Sequence, residues 1–166
     1  MKEGKKAFFL DRDGVINKEV GDYIKRFEDF EILPHVRHGL KLLSEAGYEL
    51  IIITNQGGIA KKEYPKSEME KMHHYLAKEM EGSGVVFADM YFCPHHPQTG
   101  NCLCRKPESL LVEKAISKHG IDPKLSYFIG DKERDIVCGE AAGVKGILIE
   151  ANENWLPLVE AILKEN

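Results

Sequence analysis

The sequence predicts a three-layer α/β fold, in which a parallel sheet is covered by helices on both faces. Strand-like apolar runs alternate along the chain with segments of helical periodicity. The run at 50–53 is continuously apolar, as expected of a parallel strand that is buried on both faces. No repeat and no long Pro/Gly/Ser linker interrupts this alternation, so one domain is expected over residues 1–166.

The first half of the chain contains the first two strands and the first two helices. Residues 7–10 form a short apolar run, and the strand at 50–53 comes later. Between them, apolar residues recur at helical spacing over 36–46, and Gly47 is well placed to end that helix. A stripe of methionine and leucine predicts a second helix that buries this face in the core, with Ser67 as its N-cap.

The second half of the chain continues the alternation. Residues 85–92 suit a third strand, and apolar residues over 111–116 predict a third helix that ends near Gly120. The remaining elements are expected as strands at 125–130 and 144–149 and as helices at 134–142 and 155–163. An open parallel sheet of this kind is Rossmann-like and binds ligands at the carboxyl ends of its strands.

Charge and composition exclude several classes of function. The net charge of −4 lacks the basic excess of a nucleic-acid-binding protein. No apolar run approaches the roughly 18 residues that a membrane span needs, and 7–10 is too short for a signal peptide. A cytoplasmic location is therefore expected, with a small-molecule partner and neither nucleic acid nor membrane. A monomer is the expected state.

Four short motifs occupy the places where the first four strands should end. They are Asp11–Gly14, Thr54–Gln56, Arg105–Pro107 and Gly130–Asp135. Together they offer a carboxylate nucleophile, a second acid, hydroxyl and amide donors, a lysine and a metal ligand. This combination indicates phosphoryl transfer through an aspartyl-phosphate, which depends on positioning and on neutralising charge.

The pair of Asp11 and Asp13 is the centre of this hypothesis. Residues two apart in an extended chain point to the same side, so both carboxylates can face one cleft with Arg12 directed away. We expect Asp11 to be the nucleophile and Asp13 the general acid and base. The alternative is a solvated turn that ends at Gly14, and the three other motifs argue against it.

Two further motifs can contact a phosphoryl group. Thr54 and Asn55 supply a hydroxyl and an amide, and the glycines after them expose backbone N–H groups. Arg105 and Lys106 bring two cations to the point where negative charge develops. A glycine-rich turn and a solvated basic turn are the corresponding structural alternatives.

The last motif supplies a site for a hard divalent cation. Asp131 follows the fourth strand and is a suitable ligand for Mg²⁺, which binds few carboxylates and keeps its waters. Asp135 lies one helical turn further on. It can hold Lys106 or Lys132 in place, or it can be an acid that complements the positive end of the helix dipole.

A cysteine cluster predicts a structural zinc site in the loop 93–104. Its four ligands form two pairs with one residue inside each pair, and they suit closed tetrahedral coordination: Cys93, His95, Cys102 and Cys104. His96 could replace His95, and free thiols or a redox pair are the alternatives. The expected role is to stiffen the loop beside Lys106. Cys138 is expected to be a small buried apolar residue of a helix.

With these motifs in order, the chain resembles the haloacid dehalogenase superfamily of phosphatases over nearly its whole length. The resemblance implies a Mg²⁺ ion held by Asp11, the backbone carbonyl of Asp13, and Asp131. It also implies phosphate contacts from Thr54, Asn55 and Lys106, a substrate contact from Arg105, and zinc at the four ligands named above. No large cap domain is expected, so Val15–Phe30 and the zinc loop should shape the substrate pocket.

The substrate remains open between two groups of this superfamily. The segments Asp11–Asn17, Thr54–Ala60 and Cys93–Pro97 resemble the group that removes the 7-phosphate of D-glycero-D-manno-heptose 1,7-bisphosphate in carbohydrate metabolism. The six residues between the two halves of the zinc loop, and Glu108–Leu110 after Pro107, resemble the histidinol-phosphate group instead. A non-catalytic, zinc-stabilised binding module is the third alternative.

Overall fold

The computed structural model describes residues 4–165, so both ends of the expected span, residues 1–3 and 166, lie outside the described part. The strands are β1 (Ala7–Leu10), β2 (Glu49–Asn55), β3 (Asp89–Cys93), β4 (Tyr127–Gly130) and β5 (Lys145–Leu148). The α-helices are α1 (Val36–Glu45), α2 (Lys66–Glu81), α3 (Leu110–His119), α4 (Glu133–Ala141) and α5 (Leu156–Glu165). Two short 3₁₀ turns lie at Phe27–Asp29 and Pro123–Leu125.

The strands form one parallel sheet with the order β3-β2-β1-β4-β5. The central strand β1 pairs with β2 on one side and with β4 on the other. Its last residue, Leu10, is level with Ile52 of β2 and Ile129 of β4. The loops after β1, β2 and β4 therefore emerge side by side at one edge of the sheet.

The sheet lies between two apolar layers, which explains why β1 is apolar at every position. Phe8 belongs to the layer that packs against α1, α2 and α5, whereas Phe9 belongs to the layer that packs against α3 and α4. All four residues of β1 are fully buried. The methionine stripe of α2 is buried in the first layer, as predicted. The predicted three-layer α/β fold is confirmed.

Three local predictions were wrong. Helix α2 begins at Lys66 after an extended Pro65, and Ser67 lies inside the helix rather than at its N-cap. Strand β3 starts at Asp89 instead of 85, because the N–H of Val85 bonds to Met80 at the end of α2. Strand β4 starts at residue 127 instead of 125, because a 3₁₀ turn capped by Asp122 precedes it.

The long connection between β1 and α1 is part of the core and forms no second domain. Residues 11–35 bury Val15, Ile24 and Phe30 against the sheet. The expectation that the chain lacks a large cap is confirmed. Over residues 4–165, every helix is too short or too polar to cross a bilayer.

Helix α5 is attached to the rest of the molecule through Trp155, which is almost fully buried. Its indole N–H donates a hydrogen bond to the carbonyl of Val15 at 2.8 Å. The ring also meets His35 edge-on, with the centroids 5.1 Å apart. Since Val15 lies two residues after Asp13, this contact fixes the turn that carries the acidic pair.

We expect Trp155→Phe to lower the free energy of unfolding by about 2–4 kcal/mol, because it leaves a buried carbonyl without its donor and removes buried aromatic surface. Chemical denaturation followed by circular dichroism measures the change. Val137→Ala, at a half-exposed position of α4, is the control and should change stability by less than about 0.5 kcal/mol. An equally small effect of Trp155→Phe would contradict this account of how α5 is attached.

Candidate active site

A cavity of about 490 Å³ opens at the carboxyl ends of β1, β2 and β4. Its wall includes Asp11, Asp13, Asn55, Gln56 and Asp131, which come from three of the four predicted motifs. Ligands of open parallel sheets bind at this edge because the loops after neighbouring strands converge there. The predicted convergence of these motifs is therefore present in the structure.

The buried ammonium of Lys106 contacts Asp11, which is a residue of the cavity wall. Its Nζ is 2.8 Å from Oδ1 of Asp11 and 2.7 Å from Oδ1 of Asp135, and it donates to the carbonyl of Ile53 at 2.8 Å. The ammonium thus forms two ion pairs and one hydrogen bond, all of them inside the protein. Although burial opposes the charged form, the two carboxylates raise the pKa of Lys106.

Asp135 has both of the roles that the sequence analysis considered for it: it holds Lys106 in place, and it lies at the start of helix α4. Its Oδ1 pairs with Lys106, and its Oδ2 accepts the backbone N–H of Lys132 at 3.1 Å. The second bond caps the first turn of α4. The same carboxylate therefore starts the helix and fixes the lysine.

Asn55 clamps the backbone of the loop that carries Lys106. Its Oδ1 accepts the N–H of Lys106 at 3.1 Å, and its Nδ2 donates to the carbonyl of the same residue at 3.2 Å. Both side-chain groups of Asn55 are thus occupied within the protein. The second hydrogen of Nδ2 is not used in these bonds, and Asn55 lines the cavity, so its predicted contact with phosphate stays a prediction.

The site holds more negative than positive charge. The carboxylates of Asp11, Asp131 and Asp135 offer oxygens that lie within 4.8 Å of one another. Two ammonium groups face these three carboxylates: the buried one of Lys106, and the half-exposed one of Lys132, which is 3.2 Å from Asp131. Burial raises the pKa of Asp11 to about 7, even though Lys106 favours the charged form. A hard divalent cation is the kind of ligand that would relieve this excess.

Asp13 has a different environment from Asp11. Its Oδ1 accepts from Nη2 of Arg12 and from Nδ2 of Asn17, both at 2.9 Å. Its Oδ2 accepts from Nε2 of Gln56 at 3.0 Å. Although burial opposes ionisation, these partners lower the pKa of Asp13, with the Arg12 guanidinium as the largest favourable cause.

Arg12 is not part of the cavity wall, but its side chain is not solvated either. Its side chain is buried, pairs with Asp13, and lies over the ring of Phe30 at 5.4 Å. Nη1 lies 3.4 Å from Nε2 of His73, whose pKa is lowered to about 3 by burial and by the arginine. A neutral His73 can accept from Arg12, which keeps the guanidinium in place.

Tyr64, Gln56 and Thr54 form a hydrogen-bonded chain beside Asp13. Thr54 and Gln56 belong to a motif that the sequence analysis identified, whereas Tyr64 belongs to none. The hydroxyl of Tyr64 donates to Oε1 of Gln56 at 2.5 Å, and Nε2 of Gln56 also donates to Oγ1 of Thr54 at 2.9 Å. Thr54 is buried behind the cavity wall, whereas Tyr64 forms part of that wall. No local sequence pattern distinguishes Tyr64 from an ordinary core tyrosine.

The four predicted zinc ligands lie together in the structure. Nδ1 of His95 is 3.5 Å from Sγ of Cys93 and 3.2 Å from Sγ of Cys104, and Cys102 lies 3.7 Å from Cys93. Ligands about 2.3 Å from a tetrahedral zinc stand about 3.7 Å apart, so the cluster fits this ion. These separations are too long for a disulfide.

The other histidine and the other cysteine lie outside this cluster. Nδ1 of His96 accepts the N–H of Gln98, so His95 is the histidine that faces the thiols. Cys138 is buried in α4, where burial raises its pKa to about 12 and its thiol donates to the carbonyl of Glu108. The prediction that Cys138 is a small buried residue is confirmed.

Arg105 lies beside the predicted zinc ligands rather than in the cavity wall. Its Nη1 donates to the carbonyl of His95 at 3.1 Å. It lines a neighbouring depression of about 210 Å³ together with Lys106, Pro107 and Glu108. Its predicted contact with substrate stays a prediction.

Comparison with known proteins agrees with this geometry. Residues 103–154 match the family described as HAD-hydrolase-like. Over 97% of its length the chain is 43% identical to D-glycero-alpha-D-manno-heptose-1,7-bisphosphate 7-phosphatase of Photorhabdus laumondii, of which it covers 92%. It is 39% identical to D-glycero-beta-D-manno-heptose-1,7-bisphosphate 7-phosphatase of Haemophilus ducreyi, with 86% of this chain and 81% of the relative aligned.

Two further comparisons concern the fold and a relative that is named for a different pathway. The chain superposes with a TM-score of 0.89 on D,D-heptose 1.7-bisphosphate phosphatase from B. bronchiseptica, a structure complexed with magnesium and phosphate, at 24% identity and with 98% and 99% of the two chains covered. It is 30% identical to the histidine biosynthesis bifunctional protein HisB of Buchnera aphidicola, with 97% of this chain but only 46% of that protein aligned.

The raised pKa of Asp11 predicts how stability depends on pH. The folded carboxyl titrates near 7 and the ordinary carboxyl near 3.8, so the folded protein binds the extra proton between these values and loses stability as the pH rises through them. Asparagine at position 11 does not titrate, and Lys106 keeps Asp135 as its partner.

In magnesium-free buffer we therefore expect Asp11→Asn to be about 1–3 kcal/mol more stable than the parent at about pH 8 and nearly equal to it at about pH 4. Thermal or urea unfolding at a series of pH values measures the difference. Other carboxylates titrate in both proteins and cancel in the comparison. A difference that stays constant over this range would show that Asp11 titrates normally.

Proposed function

Because this chain belongs to the haloacid dehalogenase superfamily of phosphatases, we propose that it hydrolyses a small phosphate ester through an aspartyl-phosphate on Asp11. The observation that carries this proposal is the ion pair between Lys106 and Asp11, which lines the cavity together with Asp13. Nucleophilic phosphoryl transfer needs a fixed carboxylate, a neutralising cation and a second acid.

The reaction has two steps that use the two aspartates in turn. An oxygen of Asp11 attacks phosphorus, the bond from phosphorus to the ester oxygen breaks, and Asp13 gives its proton to the departing oxygen. Asp13 then takes a proton from water, whose oxygen attacks phosphorus. The bond from phosphorus to Asp11 breaks, which releases phosphate and restores the carboxylate.

The protonation of Asp13 changes with the ligand. Arg12 and Asn17 favour its carboxylate, which is the form needed as a base in the second step. A phosphate ester brings negative charge into the cavity and so raises the pKa of Asp13 towards the range in which it holds a proton. The hydroxyl of Thr54 and the charge of Lys106 stabilise the transferring group.

We propose Mg²⁺ as the catalytic cation, held by Asp11, the backbone carbonyl of Asp13, and Asp131. The excess of buried carboxylate over ammonium in this cluster supports the proposal, and oxygen ligands suit this ion. When bound, Mg²⁺ neutralises charge on the phosphoryl oxygens. Asp135 is already used by Lys106 and by the cap of α4, so it is a support rather than a ligand.

The proposed substrate is D-glycero-D-manno-heptose 1,7-bisphosphate, which loses its 7-phosphate. The support is the match over nearly the full length of both chains to phosphatases named for this sugar. Histidinol phosphate is the second candidate, because the chain also matches a bifunctional protein of histidine biosynthesis. The curated relatives are named for different anomers, so both anomers belong in the test.

Phosphate release from a panel of esters tests the proposal. With Mg²⁺ we expect the highest kcat/KM on one anomer of the heptose bisphosphate and weaker turnover of histidinol phosphate. Asp11→Asn should lose at least about 100-fold in kcat, because the nucleophile is gone. Preference for histidinol phosphate would reassign the substrate, and an active Asp11→Asn protein would refute the mechanism. Absence of turnover on every ester would favour a binding module.

We further propose that Cys93, His95, Cys102 and Cys104 hold a structural zinc ion. The spacing of the four ligand atoms supports this, and closed coordination leaves no position for substrate. Lys106 follows the last ligand by two residues. The ion would therefore fix the start of the loop that carries the catalytic lysine.

Cys104→Ser should bind less zinc and lose about 10–100-fold in kcat/KM while the domain stays folded. Metal analysis, circular dichroism and phosphate release measure the three properties. Cys138→Ala is the matched control, since this cysteine lies outside the cluster, and it should keep both zinc and activity. Full activity of Cys104→Ser would contradict the link between the zinc loop and Lys106.

A further inference from the structure

The hydrogen bonds around Gln56 use every polar group of its side chain. A carboxylate can only accept, so the amide nitrogen must face Asp13 and the amide oxygen must face the hydroxyl of Tyr64. One amide hydrogen goes to Oδ2 of Asp13 at 3.0 Å, and the other goes to Oγ1 of Thr54 at 2.9 Å.

From this geometry we propose that Gln56 is a positioning residue that fixes Asp13 and Thr54 relative to each other. Tyr64 acts through Gln56, because its hydroxyl donates to the amide oxygen and holds the amide in the orientation that Asp13 requires. This inference rests on the proposed function, in which Asp13 transfers protons and Thr54 contacts the phosphoryl group. It identifies two residues that support those roles without touching the reacting atoms.

The consequence for Asp13 is that its two oxygens have different tasks. Oδ1 accepts from Nε and Nη2 of Arg12 and from Asn17, so its lone pairs are occupied. Oδ2 accepts only from Gln56 among the described residues, and Asp13 lines the cavity. Oδ2 is therefore the oxygen that can carry the proton, and Gln56 sets its direction.

The consequence for Thr54 concerns its hydroxyl hydrogen. Oγ1 accepts from Gln56, so the hydrogen of the hydroxyl is not used in that contact. Thr54 does not line the cavity, so this hydrogen meets the transferring phosphoryl group only through the contact that the proposed function assigns to Thr54. A single amide thus prepares an acceptor on Asp13 and a donor on Thr54 for the same ligand.

The loop around Gln56 is built for this contact. Gln56 and Tyr64 are almost fully buried, and the N–H of Gln56 donates to the carbonyl of Cys93 at 2.7 Å. A side chain at Gly58 would collide with the ring of Tyr64, so this glycine lets the tyrosine reach the amide. These contacts hold both ends of the Tyr64–Gln56 hydrogen bond in place.

A double-mutant cycle tests the proposal on D-glycero-D-manno-heptose 1,7-bisphosphate with Mg²⁺. Gln56→Met should lower kcat by about 100-fold and leave KM within about twofold, because orientation for proton transfer is lost while binding is kept. Tyr64→Phe should lower kcat by about tenfold. In the Gln56→Met background, Tyr64→Phe should change kcat by less than about twofold, since the amide it orients is absent.

Two more variants separate positioning from packing. Gln56→Glu keeps the size but replaces a donor by an acceptor beside Asp13, and its kcat should fall at least as far as that of Gln56→Met. Tyr48→Phe is the matched control, since Tyr48 is buried to the same degree, 6% against 5% exposed, at the opposite end of β2. Its kcat should equal that of the parent. Circular dichroism confirms that each variant is folded.

The outcomes distinguish this inference from the proposed function. Additive losses for Gln56→Met and Tyr64→Phe would overturn the inference, as would a change in KM alone. If Asp11→Asn is inactive and the cycle is additive, the positioning role fails and the aspartyl-phosphate mechanism stands. If Asp11→Asn keeps its kcat, the mechanism itself fails.

Discussion

The shared ammonium of Lys106 is the interaction on which the rest of the site depends. It joins Asp11 after β1, the carbonyl of Ile53 in β2 and Asp135 in the first turn of α4, and Lys106 itself comes from the loop after β3. Four segments of the chain therefore meet at one buried charge. Removing a partner from a buried ion pair leaves an uncompensated charge, which costs about 3–5 kcal/mol. Asp11, the proposed nucleophile, is held by the same contact that joins the sheet to its helices.

Hydrogen bonds connect the segment of the proposed zinc site to the loop after β2, which lines the cavity. The N–H of Gln56 bonds to Cys93, the N–H of Ala60 bonds to Pro94, and the guanidinium of Arg105 bonds to the carbonyl of His95. The loop after β2 is thus attached to the segment that carries the thiols and imidazole. A short polar loop has little apolar surface to bury, so the proposed zinc ion would supply the rigidity that packing cannot.

Most of the fold could be predicted from the sequence, because burial on two faces leaves a simple pattern of apolar residues. The errors lie where local hydrogen bonds override that pattern, as at Val85 and in the turn before Tyr127. The chemically distinctive residues of the site were also predictable. Arg12 and Tyr64 were not assigned their contacts, because a buried arginine and a core tyrosine look ordinary until folding supplies their partners. Asp131 and Asp135 could be named, yet only the structure assigns Asp135 to Lys106.

The strand order has a consequence for how the protein is made. β1 is synthesised first but lies in the middle of the sheet, and its second neighbour, β4, comes more than a hundred residues later. A growing chain on the ribosome therefore carries β1 with one open edge until residues 127–130 have emerged. An unpaired edge of an apolar strand exposes backbone N–H and C=O groups that can pair with other chains. We therefore expect the nascent chain to need protection by chaperones during this interval. The partners that β4 and α4 bring to Asp11 and Lys106 arrive last, so the site is completed late in synthesis.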